Sequence, residues 1–281
     1  MKRLIINADD FGMQKDIDRG IMDCYAKGAV TDVSLMAVGD SFENAIHMAR
    51  ENSMDTVGIH LVLTGEFYPA SAPDNVRSLV GNDHKFYKSY IAFLIRYFMR
   101  SFSTKEIYSE FKSQVIKIKK EGLKISHINS HQHLHILPAI LKIVIRLAEE
   151  EGISNIRFPF EKINVVRSVR DPRVLLRNIS LASVCAVSKK LLKTSNVNFN
   201  EYFIGHAEAL KLNKENLVTD IMRLRGSITE LGCHPGYFTE DVRSQYPYYK
   251  NCENELNFLC QSGLIDTIKK YSIQPISHAD L

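Results

Sequence analysis

Along the chain, short runs rich in β-branched and other apolar residues alternate with stretches whose apolar positions recur every three or four residues. That order predicts strands joined by crossover helices, as in a parallel sheet covered by helices. The expected strands are the runs at 3–8, 31–37, 56–64, 125–130, 155–158, 202–204, 227–234 and 272–276. Eight such runs predict an α/β fold of the (β/α) barrel type, TIM-barrel-like, with residues 1–281 forming one domain. The clearest helix is expected at 104–121: Ser103 and Glu106 make a capping box, Ile107, Phe111, Val115 and Ile118 form one stripe, and Gly122 ends it.

Two stretches read as insertions. The one near 69–103 is rich in aromatic residues, and the one near 161–201 is basic and helical with a long apolar run. The stripe Phe86, Tyr90, Phe93, Tyr97 reads as core packing or a dimer contact before it reads as a sugar platform, and a homodimer is the expected assembly.

Composition excludes more than it selects. Charged residues make up 24% of the chain, mixed in sign, for a net charge of +4, too mild to imply a nucleic-acid partner. The five cysteines include no CxxC pair, so neither a disulfide framework nor a thiolate metal site is expected, and a reducing cytoplasm fits. Two carboxylates follow the apolar LIINA directly, against the pattern of a signal peptide, and the runs at 90–95 and 179–187 are too short for a membrane span. A soluble, cytoplasmic protein is expected.

The candidate chemistry gathers where strands end. Asp9 and Asp10 leave the first strand side by side, and adjacent carboxylates call for a cation unless one of them caps the following helix. His60 stands alone in an apolar strand, a position more often held by a hydrogen-bonded core histidine than by a metal ligand unless further ligands gather near it. His127, His131, His133 and His135 place four of the ten histidines within nine residues. A catalytic ion needs about three protein ligands and an open position, so one of these imidazoles is expected on a metal and the others behind it or on substrate. Glu230, Gly232 and His234 alternate and share one strand face, and Arg157 could supply the positive charge that burying Glu230 and His234 together calls for, as part of a site or as a plain salt bridge to Glu230.

Taken in order, NADDFG, GIHLVLT, SHINSHQHLHILP, RFP and ELGCHPGY resemble the motifs of the YdjC-like carbohydrate deacetylases, which include the chitooligosaccharide deacetylases. The resemblance implies a (β/α) barrel related to the polysaccharide deacetylases and one divalent metal ion, magnesium or zinc, on Asp10, His60 and His131. It further implies Asp9 as general base, His234 as the group that stabilises the intermediate or protonates the leaving amine, and Arg157 as the residue orienting the base. His127, Asn129, His133, His135 and Glu230 fall to substrate contact or to support of the ligands. Asn129 departs from the family's HxDSH pattern, which carries a carboxylate there. The implied activity is hydrolysis of the N-acetyl group of an amino sugar or short chitooligosaccharide. Its rivals are a metal-dependent hydrolase or isomerase of a phosphorylated or non-acetylated sugar, and a non-catalytic sugar-binding protein with a vestigial metal site.

Overall fold

Each of the eight apolar runs holds a strand in the structure, a computed structural model that describes residues 2–161, 172–206, 228–261 and 263–281. In chain order the elements are β1 (Lys2–Phe11), α1 (Lys15–Ala26), β2 (Asp32–Leu35), α2 (Phe42–Glu51), β3 (Thr56–Leu61), α3 (Tyr90–Phe98), α4 (Thr104–Lys120), β4 (Lys124–Ser130), α5 (Pro138–Glu151), β5 (Asn155–Ile156), α6 (Pro172–Lys193), β6 (Tyr202–Ile204), β7 (Ile228–Cys233), α7 (Glu240–Gln245), α8 (Cys252–Cys260), α9 (Gly263–Lys270) and β8 (Ile273–Ile276). Position 227 of the expected seventh strand and 162–171 of the second insertion lie outside the described residues.

The sheet is parallel throughout, in the order β5-β4-β3-β2-β1-β7-β6. It curls until its edges meet: Ile156 N donates to Asn198 O at 3.0 Å and Phe203 N to Phe160 O at 2.9 Å. The Asn200 side chain accepts from Phe158 N and donates to Phe158 O across the same seam. The barrel departs from regular eightfold order in one respect. β7 pairs directly with β1 over Arg3–Ala8, and β8 lies along the other edge of β1 at Lys2–Ile5, below the point where β2 joins at Asn7. A ten-residue β1 is long enough to hold both neighbours on one edge.

Alternation along the strands sorts the side chains. Leu4, Ile6, Ala8, Ile59, Leu61, Ile128, Leu231 and Cys233 belong to the apolar layer beneath the helices. Their alternates Asn7, Asp9, His60, His127, Asn129 and Glu230 are equally buried but fill the inside of the barrel. The interior is therefore a polar column capped by the strand ends where a site forms.

The stripe of α4 is buried as expected, with Ile107, Phe111, Val115 and Ile118 all at most 2% exposed. Its capping box is only half formed. Ser103 Oγ accepts from Glu106 N, but the Glu106 carboxylate accepts from Ser78 N instead, tying the first insertion to the helix. Glu110 and Gln114 on the same face are buried too. Glu110 accepts from Ala70 N and Ser71 N, and Gln114 both accepts from Val62 N and donates to Val62 O, so the segment after β3 is anchored over the barrel mouth. Phe86 and Phe93 of the aromatic stripe are core residues, whereas Tyr90 is 38% exposed and faces the mouth. Among the described residues no helix is long and apolar enough to cross a membrane.

Candidate active site

Adjacent residues on a strand face opposite ways, yet Asp9 and Asp10 reach the same space. The pairing of β1 with β2 is irregular between Ala8 and Phe11, and Asp10 takes a left-handed backbone with φ of 65°. That local kink turns Asp10 inward beside Asp9. The following turn is held from below by Asp18, whose carboxylate accepts from Gly12 N and Ser41 Oγ, each at 2.6 Å.

Asp10 Oδ1 lies 3.1 Å from both His60 Nε2 and His131 Nδ1, and the Tyr249 hydroxyl donates to Oδ2. Ligand atoms of Asp10, His60 and His131 all lie within 4.8 Å of one another, and all three residues are buried. His60 Nδ1 faces Asn129 Oδ1 at 2.7 Å, so the ring donates there and leaves the Nε2 lone pair aimed at the cluster. An amide thus fixes the tautomer that a carboxylate would fix. Two imidazoles, one of them so oriented, and one carboxylate fit a divalent ion. Without one, burial opposes the charge on Asp10, but His131 and His60 outweigh it and hold the carboxyl well below its usual range.

Asp9 is clamped rather than free. Arg157 Nη1 donates to Oδ2 at 2.6 Å and Nη2 to Oδ1 at 2.7 Å, while Asn7 and Asn129 amides donate to Oδ1 at 2.7 and 3.2 Å. Burial raises its pKa, and the charges of Arg157, His60 and His234 with the Arg157 hydrogen bond bring it down to about 2. Arg157 is itself wholly buried, and its Nε donates to Glu230 Oε1 at 2.7 Å. The salt bridge expected between Arg157 and Glu230 is present, and the same guanidinium also binds Asp9.

His234 follows β7 at the rim, its side chain 19% exposed, with Nε2 4.0 Å from Asp9 Oδ2. Its backbone N–H donates to Glu255 Oε2 at 2.7 Å, which seats the loop after β7. Asp9, Asp10, His60, His131, His133 and His234 all open onto one cavity of about 340 Å³, with Tyr90, Phe203 and Tyr248 among its walls. A second cavity of about 590 Å³ shares His131, Gln132 and Tyr248 with it, so the cleft extends to both sides of His131.

The rest of the histidine cluster divides. His133, in a left-handed turn with φ of 55°, lines the cavity, and its Nδ1 makes no hydrogen bond among the described residues. His135 is turned away: Nδ1 meets Ser130 Oγ at 2.7 Å and Nε2 meets Arg157 O at 2.9 Å, so it braces the segment carrying Arg157. His127 lies deeper still, between Ser34 and Ser126, with its ring where a Cβ on Gly58 would stand 2.2 Å away. Sequence reasoning missed Tyr249, Ser34, Asn7 and His206, the last of which lines the same cavity beside His133. Tyr249 is far along the chain from Asp10, and no spacing connects the two.

A parallel (β/α) barrel with a buried Asp-His-His cluster and a clamped carboxylate at its strand ends defines a class of barrel with a candidate hydrolytic centre. Comparison narrows that class: residues 3–270 match the model of the YdjC-like protein family, and the chain belongs to it. It is 30% identical to a carbohydrate deacetylase of Brevibacillus brevis over 99% of both chains. It is 29% identical to a carbohydrate deacetylase of Clostridium beijerinckii over 99% of this chain and 100% of that one. Among solved structures, one described as a cellobiose-phosphate cleavage protein of Enterococcus faecalis shares the fold, with a TM-score of 0.79 at 22% identity over 99% of this chain and 98% of the other.

Proposed function

We propose that this protein is a metal-dependent carbohydrate deacetylase that hydrolyses the N-acetyl group of an amino sugar or short chitooligosaccharide to acetate and a free amine. The observation that carries the reading is the pairing of the Asp10, His60, His131 cluster with an ionised Asp9 in one cavity. Full-length relatives named carbohydrate deacetylase support it. Asp10, His60 and His131 would hold one divalent ion, magnesium or zinc, which when bound polarises an amide carbonyl and acidifies water.

Asp9, ionised and facing the same space, accepts the proton of the attacking water, while Arg157 and Asn7 fix its plane. His234, at the rim, delivers a proton to the departing nitrogen. Tyr90, Phe203 and Tyr248 offer apolar faces to a sugar ring, and the His133 ring adds to the same wall. The reading includes a homodimer, supported by the exposed Ile91, Ile95, Phe98 and Met99 around α3, and a cytoplasmic location.

One observation favours a second assignment of the proton. Arg157 already occupies both Asp9 oxygens and Asp9 holds protons weakly, at about 2, so His234 would take the water's proton as well as deliver one, with Asp9 only orienting the water. Acetate release from N-acetylglucosamine oligomers by Asp9→Asn and His234→Asn tests both. Loss of about 100-fold or more in kcat for Asp9→Asn with metal still bound supports Asp9 as base. A small loss there beside near-total loss in His234→Asn assigns both steps to His234. No acetate from the wild-type protein with any divalent metal leaves the rival sugar chemistries or simple sugar binding.

A further inference from the structure

The charged column under the cavity does not stop at Glu230. Glu230 Oε2 lies 3.4 Å from Nε2 of His278, which sits in a short turn after β8 and is 1% exposed. His278 Nδ1 is 3.1 Å from Asp32 Oδ2, its backbone N–H donates to the same oxygen at 2.9 Å, and Asn155 Nδ2 donates to its carbonyl at 2.9 Å. Its ring lies flat on that of His127, with centroids 3.6 Å apart and planes at 12°. From the cavity floor to the foot of the barrel the column runs Asp9, Arg157, Glu230, His278, Asp32, the sign changing at every step.

We infer that His278, as an imidazolium, is a positioning residue for the reaction: it holds Glu230, Glu230 holds the plane of the Arg157 guanidinium, and that plane sets the carboxylate of Asp9. The inference rests on the reading of Asp9 as the carboxylate that handles the attacking water.

The geometry leaves Glu230 little choice. One oxygen is bound by Arg157, and the other makes no hydrogen bond among the described residues and has only the ion contact with His278. With that contact gone, a buried carboxylate oxygen has no partner and turns toward the nearest donor, the guanidinium, pulling it from Asp9. Burial by itself discharges an imidazole, and the neighbouring His127 and Arg157 do not help. Glu230 and Asp32 outweigh burial and hold His278 up at about 9, so the charge is present at neutral pH.

Asp32, His127 and His278 also lie close enough to be considered a second metal centre. The stacking argues against it. Both nitrogens of His127 are engaged by serines, and in-plane lone pairs on parallel rings do not converge on one ion.

The test compares metal-loaded wild type with His278→Gln, Glu230→Gln and the double variant, reading kcat and KM for acetate release and bound metal per chain. The inference expects His278→Gln to lose about 10- to 100-fold in kcat with KM and a single bound ion unchanged, as a small misplacement of a reacting group does. It expects the double variant to be no slower than Glu230→Gln alone, whereas losses that multiply mark His278 as a floor plug only. Should His278→Gln fail to fold, Asp32→Asn keeps the ring seated and is expected to lower kcat in the same way by a smaller factor. A kcat within about twofold of wild type in the folded His278 variant overturns the positioning role and leaves the deacetylase reading standing, as does a second ion lost with the ring. No acetate from wild type overturns both.

Discussion

Arg157 donates to both oxygens of Asp9, at 2.6 and 2.7 Å, from a position with no solvent exposure, and it does so while also donating to Glu230. A planar fork can hold one carboxylate by two parallel bonds while its other edge serves a second, and a lysine ammonium, with its donors on a single atom, cannot match that bidentate grip. Arg157→Lys is therefore expected to keep the charge balance yet lose about 10- to 100-fold in kcat, because a 1 Å shift of a reacting group costs this much. Kinetics of acetate release beside thermal melting check it. A variant with reduced Tm but unaltered kcat would show that the clamp serves only the fold.

Asn129 orients His60 through a 2.7 Å contact and donates to Asp9 and Ser34. Removing such support behind a metal ligand costs about 10- to 100-fold in metal affinity. Asn129→Ala should bind zinc or magnesium that much more weakly in a chelator competition, with the fold retained. Unchanged affinity would mean that the His60 tautomer is set elsewhere.

Stability should fall on the alkaline side through His278. Its pKa is raised from 6.5 to about 9 in the folded state, so its contribution is fully present below pH 6.5 and is lost as pH climbs through about 9. A shift of that size corresponds to roughly 3 kcal/mol. Urea unfolding at pH 6 and pH 9.5 should show a drop of that order in wild type and a clearly smaller one in His278→Gln. Equal slopes in the two proteins would show that the folded ring is not charged.

Much of this arrangement is legible in the chain because alternation is unambiguous in β1, β4 and β7: Asn7 and Asp9, His127 and Asn129, and Glu230 and Gly232 must share the inner face once their neighbours are buried outside. The strand count and the capped stripe of α4 follow from the same periodicities. What alternation could not show is that Asp10 joins Asp9, because a left-handed aspartate is a local exception to the pattern. Nor could it separate His131 from its cluster, a choice that came from family resemblance, or find Tyr249 and His278. These last two reach the column from segments outside its strands, and only tertiary packing brings them in. A helical period groups Tyr90 with the core stripe although it faces the mouth, because such a period shows which residues are neighbours and not what lies above them.

Gly58 is required by its neighbour. An added Cβ would stand 2.2 Å from Cε1 and 2.3 Å from Nε2 of His127, in a ring stack with no room to yield. Gly58→Ala should destabilise the protein by about 1–3 kcal/mol or more, as overpacking does, seen as a lower urea midpoint with the same slope. A neutral substitution would mean that the His127 ring is free to move.

The central claim is that Asp10, His60 and His131 hold a divalent ion that this chain needs to hydrolyse an N-acetyl amide. The most direct measurement is acetate release from an N-acetylglucosamine oligomer by chelator-stripped protein titrated with zinc or magnesium. No turnover is expected without metal, full activity at one ion per chain, and neither binding nor turnover in His60→Ala. Acetate release that persists in metal-free protein, or an ion that still binds at full stoichiometry in His60→Ala, would contradict it.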